Sequence, residues 1–441
     1  MNNLNNIRRK RSKPKVSQAK DRQKFLDVTL EDGVFIFYHL NHPKVVSTFI
    51  RKLKRAIAKG CTSFILDFSK TENQVFPNAI TPITGIIDFF RQKGMKFELS
   101  EHQLPIVRQS NILAPMPYDN QTSVLNKVWK FSSSEEVARL VDAFIAELSK
   151  NDSFYKGVLG TTEWSLNEVM DNVIQHSLTS VGYVMGQIHQ TTKHIAFTVF
   201  DTGQGIYSSL KNTSHKPKNE VDAITLAIQE AVTRDKSIGQ GNGLYGLHQI
   251  CKQGNGKLRI TSGQGYYSYS KESTNTYDNI PVLSGRAKST TVDFIVDYSK
   301  DYSIDQALVF GGQRHTLVNL RIENQEDING NIMFRMRDKS EGTGTRQAAL
   351  RLKNEILNIL IEEKKRIILD FEGVAVISSS YADELIAKLF CELGLFQFNQ
   401  LIQIVGLNET QQSVLQHSVI QRIVENYPEY TSSKKTLKKN R

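Results

Sequence analysis

The chain has 441 residues, of which 39% are hydrophobic and 23% are charged. This composition is typical of soluble globular proteins and excludes wholesale disorder, and the length predicts about two to four separately folded units, of which we expect three. The formal net charge of +11 is concentrated at the two ends, so the residues between them are close to neutral.

The two ends of the chain are predicted to be basic tails. Residues 1–24 contain nine Lys or Arg against one acidic residue, Asp21, and residues 431–441 contain five Lys or Arg. Runs of like charge at chain ends are usually solvated and disordered. A contact with nucleic acid or another anionic surface is the alternative, but we do not favour it as the basis of function.

Three cysteines, Cys61, Cys251 and Cys391, are far apart and have no paired spacing. The sequence therefore predicts neither a disulfide framework nor a zinc site, and we expect a reducing compartment. No apolar run approaches the roughly 18 residues needed to span a bilayer, and the chain starts without an apolar secretory segment. A cytoplasmic protein without a membrane span is expected.

Residues 25–110 predict a small α/β unit. Apolar runs and helical periodicity predict its elements, with strands at 34–40, 64–68 and 95–99 and helices at 45–60 and 79–94. Residues 111–130 contain prolines and many polar residues and predict a linker. Ser and Glu in capping positions then open an amphipathic helix at 132–151, which begins a central unit at residues 131–300.

A polar stripe is predicted on the helix that includes residues 166–177. Glu168, Asn172 and His176 follow one another at four-residue spacing, so they share one face of that helix. An Asn oxygen can coordinate Mg²⁺, and a carboxylate can orient or deprotonate an attacking water. Taken alone, a solvated helix face explains the stripe better, and a packed or hydrogen-bonded helix histidine is the preferred interpretation of His176.

Two glycine-containing stretches follow. An apolar strand at 194–200 runs into Asp201, Gly203 and Gly205, where the glycines allow close approach to a flat ligand and the carboxylate can accept a hydrogen bond from an exocyclic amine such as that of adenine. An ordinary turn after a strand is the alternative.

A glycine loop containing Gly239, Gly241, Gly243 and Leu244 runs into a predicted helix. Glycines ahead of a helix N-terminus direct several backbone N–H groups to one place, which is how proteins hold phosphate oxygens. The spacing is not that of a Walker loop, because Gly-Lys-Ser/Thr is absent. Further along, Thr291 lies in a stretch of hydroxyl residues that begins a strand, and these hydroxyls could join a water network around a bound base.

Residues 312–430 predict a third unit, again α/β. Ile65–Phe68 and Ile368–Phe371 share the sequence Ile-Leu-Asp-Phe, and both precede a loop and another helix, as in a duplicated module. The elements expected in this unit are strands at 316–322, 331–337, 366–371 and 401–405 and a long helix at 346–364.

Together the four central stretches resemble the N box, the two glycine boxes and the closing threonine box of the GHKL family (gyrase, Hsp90, histidine kinase and MutL), in the family's order. The resemblance implies a two-layer α/β sandwich, the Bergerat fold, with strands at 183–190, 194–200, 257–262 and 291–297. The overall fold class is therefore α/β (α+β), and the implied ligands are ATP and Mg²⁺.

The resemblance also implies a role for each residue. Glu168 becomes the general base, Asn172 the Mg²⁺ ligand and Asp201 the carboxylate that recognises adenine. Residues 206–240 become a mobile lid, including a helical stretch at 223–235. The base pocket is shaped by Gly203 and Gly205, the phosphate-binding loop includes Gly239, Gly241, Gly243 and Leu244, and Thr291 takes the closing role.

Residues 368–390 resemble the STAS and STAS-like modules that bind switch kinases in bacterial signalling, and the N-terminal unit is predicted to be a diverged copy. In that system a GHKL protein phosphorylates a serine after the central strand, where Ser378, Ser379 and Ser380 lie here. The preferred alternative is a helix capping box that starts at Ser380. The flanking residues Ile377 and Tyr381 depart from the usual phosphoacceptor motif.

Three functions remain open at this point. The first is an ATP-hydrolysing signalling or switch protein, the second is a protein serine kinase acting on a STAS serine, and the third is an ATP-sensing adaptor without useful turnover. Retention of Glu168 favours the first two, and the absence of a dimerisation helix with a phosphoacceptor His disfavours a sensor histidine kinase. A protein partner is expected through the STAS-like modules, and a homodimer is one of the assemblies left open.

Overall fold

A computed structural model describes most of the chain and shows a mixed α/β fold with several sheets, which confirms the predicted fold class. The predictions for the basic tails, for Gly239 and Gly241 and for a strand at 316–322 lie outside the described residues. The described ranges are 27–72, 74–120, 122–179, 181–232, 242–314, 327, 329–339 and 341–426.

The N-terminal unit contains a four-stranded sheet in the order β1-β2-β3-β4, in which β1 is antiparallel and the other strands are parallel. Its strands alternate buried and exposed positions, and phenylalanines such as Phe35, Phe37 and Phe64 fill the core. The elements are β1 (Val28–Glu31), β2 (Val34–Phe37), α1 (Lys44–Ala58), β3 (Ser63–Asp67), α2 (Pro77–Arg91), β4 (Lys96–Leu99) and the short helix α3 (Pro105–Gln109).

Helix α2 is buried on two sides, because it packs against its own unit and against the central sheet. A Cβ atom at Gly85 would lie 2.4 Å from the Phe200 ring, so glycine permits the close approach of helix and sheet. At the far end of the helix, the Asp88 carboxylate accepts hydrogen bonds from the Tyr183 hydroxyl at 2.6 Å and from the Lys130 ammonium at 2.9 Å. The N-terminal and central units therefore share one core.

The stretch predicted as a linker, residues 111–130, also contributes to the cores. Its apolar residues Ile112, Val124 and Val128 are buried, and the strand β5 (Trp129–Phe131) begins inside it. Prolines and polar residues indicated a loop, but the apolar residues between them anchor that loop on both neighbouring units.

The central unit is built on a seven-stranded sheet in the order β10-β9-β8-β11-β7-β6-β5, with antiparallel pairing throughout. Helices α4, α5 and α8 cover one face of this sheet, and α2 packs on the other. Its remaining elements are α4 (Ser134–Asn151), α5 (Val158–His176), β6 (Gly182–His189), β7 (His194–Asp201), α6 (Gly205–Leu210), α7 (Glu220–Ala227), α8 (Gly243–Gln253), β8 (Lys257–Ser262), β9 (Gly265–Ser270), β10 (Ser273–Tyr277) and β11 (Thr290–Asp297).

After the central sheet, a small hairpin of β12 (Val309–Phe310) and β13 (Gln313–Arg314) precedes the C-terminal unit. That unit has a three-stranded parallel sheet in the order β14-β15-β16. Its elements are β14 (Ile332–Arg335), α9 (Arg346–Glu363), β15 (Ile367–Asp370), α10 (Ser379–Ala382), a π-helix (Asp383–Ala387), α11 (Lys388–Leu401, with a break at Gly394), β16 (Ile402–Val405) and α12 (Glu409–Asn426).

The N-terminal and C-terminal units have the same order of parallel strands and helices, and their central strands end in the same way. Asp67 ends β3 and accepts a hydrogen bond from the Ser69 amide at 2.8 Å. Asp370 ends β15 and accepts one from the Glu372 amide at 2.9 Å. The shared Asp therefore fixes an equivalent turn after each central strand.

The C-terminal unit contacts the central unit through α9, which packs against α4. The Asn358 side chain accepts a hydrogen bond from the Phe154 amide and donates to the carbonyls of Ser149 and Asp152, all within 2.9 Å. One buried side chain thus satisfies three backbone groups at the C-terminal end of α4. None of the helices in the described part of the chain has the length and apolar character needed to cross a bilayer.

Candidate functional site

A cavity of about 370 Å³ opens between α5, the lid segment and the ends of β7 and β11. Residues from all four stretches that carry the predicted motifs meet in it. The predicted residues that line the cavity are Glu168, Asn172, His176, Asp201, Gly205, Gly243 and Leu244.

Helix α5 supplies the polar wall of the cavity. Its apolar side, which includes Leu166 and Met170, is buried in the core, so the stripe of Glu168, Asn172 and His176 faces the cavity. Asp171 and Gln175 also line the cavity, because residues three and four positions apart share a helix face. The same spacing in the sequence could have identified these two residues.

Two carboxyl groups on this wall have altered acidity. Burial raises the pKa of Glu168, and the nearby charge of Asp171 raises it further. Burial also raises the pKa of Asp171. A carboxylate with a raised pKa is a better proton acceptor near neutral pH, which suits a general base.

Asp201 ends β7 at the opposite side of the cavity and is 6% exposed. Its Oδ1 atom accepts a hydrogen bond from the Gly203 amide at 2.7 Å. Burial raises the pKa of Asp201 to about 7, although the Gly203 hydrogen bond works in the other direction. The site therefore holds a buried hydrogen-bonding carboxyl group at the end of a strand.

The two glycines after Asp201 are required by close packing. A Cβ atom at Gly203 would lie 2.3 Å from the Ser177 carbonyl oxygen. Gly205 has a φ of +76°, in the left-handed region that favours glycine. The chain can then turn directly into α6, where the Ile206 amide donates to the Ser262 hydroxyl at 2.8 Å.

Helix α8 begins beside Glu168. A Cβ atom at Gly243 would lie 2.4 Å from the Oε2 atom of Glu168, so glycine is what allows the helix N-terminus to approach this carboxylate. Asn242 and Leu244 line the cavity at the same point. The free amides of a helix N-terminus favour an anionic group such as phosphate.

The predicted lid contributes Ile206, Ser209 and Leu210 to the cavity, and Ala227 and Val232 from its later part. Residues 233–235 of the helical stretch predicted at 223–235 lie outside the described residues, and within the described part the helix α7 is Glu220–Ala227. Beyond it the chain turns, and Ala231 has a φ of +61°, which is incompatible with a continuing right-handed helix.

The strand β11 lines the cavity with Thr290 and Val292. Side chains alternate along a strand, so Thr290 and Val292 face the cavity whereas Thr291, the residue predicted for the closing role, points to the other face of the sheet. The Thr290 hydroxyl lies 3.1 Å from the Ser262 hydroxyl. The hydroxyl that β11 presents to the cavity is therefore that of Thr290, and the closing role predicted for Thr291 stays a prediction.

Metal binding here would depend on few protein donors. The described residues contain no group of three His, Cys, Asp or Glu side chains arranged to hold a metal ion. Mg²⁺ is commonly held by one or two side chains together with substrate phosphates. Asn172, with the carboxyl groups of Glu168 and Asp171 in the same cavity, fits that mode of binding.

The three predicted phosphoacceptor serines lie in the C-terminal unit. Ser378 is the N-cap of α10, and its hydroxyl accepts a hydrogen bond from the Tyr381 amide and lies 3.1 Å from the Ser380 hydroxyl. The capping role assigned to Ser380 thus belongs to Ser378. Ser379 is exposed.

Residues 348–412 match the family described as a STAS-like domain of unknown function (DUF4325). The match extends from the first turn of α9 to the first turn of α12 and includes the serines just described. The chain therefore contains a STAS-like domain, which fits a partner-switching role in general. No curated protein matches the chain.

Proposed function

We propose that the protein is an ATP-dependent switch, in which the central cavity binds Mg²⁺-ATP and the STAS-like domain contacts a protein partner. The observation that supports this proposal best is the meeting of Glu168, Asn172, Asp201 and Gly243 in one cavity, although they come from three distant stretches of sequence. Each of these residues has the chemistry that its part of the nucleotide requires.

The base end of the nucleotide is assigned to Asp201. Its carboxyl group is buried at the end of β7, and one oxygen is engaged by the Gly203 amide. In this proposal the carboxyl group accepts a hydrogen bond from the exocyclic amine of adenine. Gly203 and Gly205 leave room for the flat base.

The phosphates are assigned to the other end of the cavity, where α8 begins next to Glu168. The backbone amides in the first turn of α8 bind phosphate oxygens, and Asn172 would hold Mg²⁺ together with those oxygens. The ion would neutralise phosphate charge. Glu168 takes a proton from a water molecule, the water oxygen attacks the γ-phosphorus, and the bond to the bridging oxygen breaks to give ADP and phosphate.

The link to a partner is assigned to the STAS-like domain. Its helix α9 packs on α4, with the buried Asn358 bound to the end of that helix. Movement in the central unit can therefore be transmitted through packed helices. The proposal requires a compartment that contains ATP, in line with the expected cytoplasmic location.

A serine kinase is the second candidate, favoured by the exposure of Ser379 in the STAS-like domain. Its neighbour Ser378 is engaged in capping α10. An ATP-sensing adaptor is the third. The three candidates differ in what happens to the γ-phosphate, and one experiment separates them.

Purified protein is incubated with Mg²⁺ and ATP labelled on the γ-phosphate, and ATP binding is measured in parallel by equilibrium dialysis. Glu168→Gln is compared with Glu135→Gln, a control at an exposed carboxylate of α4. Release of free phosphate by the unsubstituted protein and by Glu135→Gln, but not by Glu168→Gln, supports the switch ATPase. Label on Ser378, Ser379 or Ser380 supports the kinase, binding without turnover supports the adaptor, and no binding contradicts all three.

A further inference from the structure

The hairpin of β12 and β13 lies outside the stretches that carry the nucleotide motifs, yet it forms part of the cavity. Phe310 lines the cavity. Its ring stacks near Trp164, with 6.1 Å between ring centroids, and lies 6.2 Å from the ring of Tyr245. Three aromatic rings from α5, α8 and the hairpin therefore meet at one place.

These rings lie at the phosphate end of the proposed site. Trp164 is one helical turn before Glu168 on α5. Gly246 of α8 packs closely on Trp164, since a Cβ atom at Gly246 would lie 2.3 Å from the indole. Asp201 lies near Ser177 at the other end of α5. At about 1.5 Å per residue, Trp164 and Ser177 are roughly 20 Å apart along the helix.

The same hairpin also contacts the lid. The Gly311 amide donates a hydrogen bond to the Glu230 carboxylate. Glu230 lies between Ala227 and Val232, which both line the cavity. One short hairpin therefore joins the wall formed by α5 and α8, through Phe310, to the cavity-lining segment that contains Glu230, through Gly311.

We propose that Phe310 is a positioning residue of the nucleotide site, supplied by the segment that leads to the STAS-like domain. Its ring supports the wall at the phosphate end, and its hairpin holds the segment that contains Glu230 beside the site. This inference rests on the proposed function. Because coupling between two equilibria is reciprocal, any partner that displaces the hairpin weakens nucleotide binding, and bound nucleotide resists that displacement.

The test measures Mg²⁺-ATP binding and hydrolysis in the full chain for Phe310→Ala, Phe310→Tyr and the control Val309→Ala. Val309 is the neighbouring residue of the same strand and is 39% exposed. The chain has two tryptophans, and Trp129 is buried away from the cavity, so a change in fluorescence on adding ATP reports on Trp164.

We expect Phe310→Ala to raise the dissociation constant and KM for ATP about tenfold, which corresponds to about 1.4 kcal/mol, with a smaller change in kcat. Phe310→Tyr, which keeps the ring, and Val309→Ala should stay within twofold of the unsubstituted protein. If Phe310→Ala does not fold, Phe310→Leu keeps apolar volume without a ring and gives the same comparison.

Two results would contradict the inference at different levels. Normal ATP affinity in a folded Phe310→Ala or Phe310→Leu variant overturns the positioning role and leaves the proposed function intact. Absence of ATP binding in the unsubstituted protein overturns the proposed function itself. A Glu230→Gln variant separately tests the lid contact, and it should weaken ATP binding less than Phe310→Ala, since an amide oxygen can still accept from Gly311.

Discussion

The Glu362 side chain accepts a hydrogen bond of 2.9 Å from the backbone amide of Gly157. Gly157 is the residue before α5, has a φ of +82° and packs against Asp305 so closely that a Cβ atom would lie 2.5 Å from the Asp305 Cβ. The C-terminal unit therefore holds the start of the helix that carries Glu168.

This contact predicts a pH-dependent effect of Glu362→Gln. Burial raises the pKa of Glu362, and the Gly157 hydrogen bond lowers it by less. A carboxyl group with a raised folded-state pKa contributes stability that is present below its unfolded pKa of about 4.3 and is lost as the pH rises through the folded pKa. Gln keeps the acceptor without the charge.

We therefore expect Glu362→Gln to unfold at a higher temperature than the unsubstituted protein at pH 8, and at nearly the same temperature near pH 4. Thermal unfolding at both pH values measures this difference. Glu363→Gln, at the neighbouring residue of α9, provides the control. A lower unfolding temperature for Glu362→Gln at pH 8 would show that the charge itself stabilises the contact.

Gly243→Ala tests the close approach of α8 to Glu168. The added Cβ atom would meet the Glu168 Oε2 atom at 2.4 Å, so the carboxylate or the helix must move. We expect ATP hydrolysis to fall at least tenfold, and the free energy of unfolding to fall by about 1–3 kcal/mol despite the better helix propensity of Ala. Phosphate release and urea unfolding measure the two effects.

A matched control for this change is Gly285→Ala, because among the described residues no atom other than those of its chain neighbours lies within 4 Å of the Cβ position at Gly285. Hydrolysis and stability should stay close to those of the unsubstituted protein. Equal rates of ATP hydrolysis for Gly243→Ala and Gly285→Ala would mean that hydrolysis does not depend on the position of the Glu168 carboxylate.

The register of β11 predicts different effects for two adjacent threonines. Thr290 lines the cavity next to Ser262, whereas Thr291 faces away from it. Thr290→Val removes one hydroxyl from the site, so we expect ATP affinity to fall about three- to tenfold, equivalent to roughly 1 kcal/mol. Thr291→Val should change the ATP affinity less than twofold. A larger loss of affinity in Thr291→Val than in Thr290→Val would mean that the other face of β11 contacts the nucleotide.

Asp201→Asn is expected to weaken ATP binding and to change the pH dependence of stability. In this variant the side-chain amide oxygen would accept the hydrogen bond from the Gly203 backbone N–H. The side-chain NH₂ group would then face the exocyclic amine of adenine, and two donors cannot form a hydrogen bond. Affinity should fall at least tenfold. Since burial raises the pKa of Asp201 to about 7, the unsubstituted protein should lose stability between about pH 4 and pH 7, on the order of a few kcal/mol.

The loss of stability with rising pH should be absent in Asp201→Asn. It should be retained in Asp142→Asn, a control at an exposed residue of α4. Urea unfolding at pH 5 and pH 8 measures the difference. If both variants show the same pH dependence, Asp201 is not the group that titrates. If Asp201→Asn binds ATP normally, the base lies elsewhere in the cavity.

The parts of the structure that follow local patterns could be predicted from the sequence. The strands β6, β7, β8 and β11 begin and end within one residue of the positions given with the GHKL resemblance, and β7 is also recognisable as a buried apolar run. The polar stripe of Glu168 and Asn172 could be predicted for a similar reason, since helical spacing alone assigns it to one face.

Features that depend on contacts between distant segments could not be predicted. Nothing in the sequence distinguishes Thr290 from Thr291 until the pairing of β11 sets which face each occupies. Phe310 belongs to no motif and reaches the cavity only because its hairpin folds back on α5 and α8. The apolar residues of the supposed linker found partners on two different units.

The contact between Gly85 and Phe200 also bears on how this architecture can evolve. Because α2 lies in a core that the N-terminal and central units share, recombination that removed or replaced the first unit would leave Tyr183, Met185 and Phe200 exposed on the back of the central sheet. A new first unit would need a glycine at the same crossing point. The N-terminal and central units are therefore expected to be inherited together, whereas the STAS-like domain has its own separate core and is joined to the central unit through the contacts of α9.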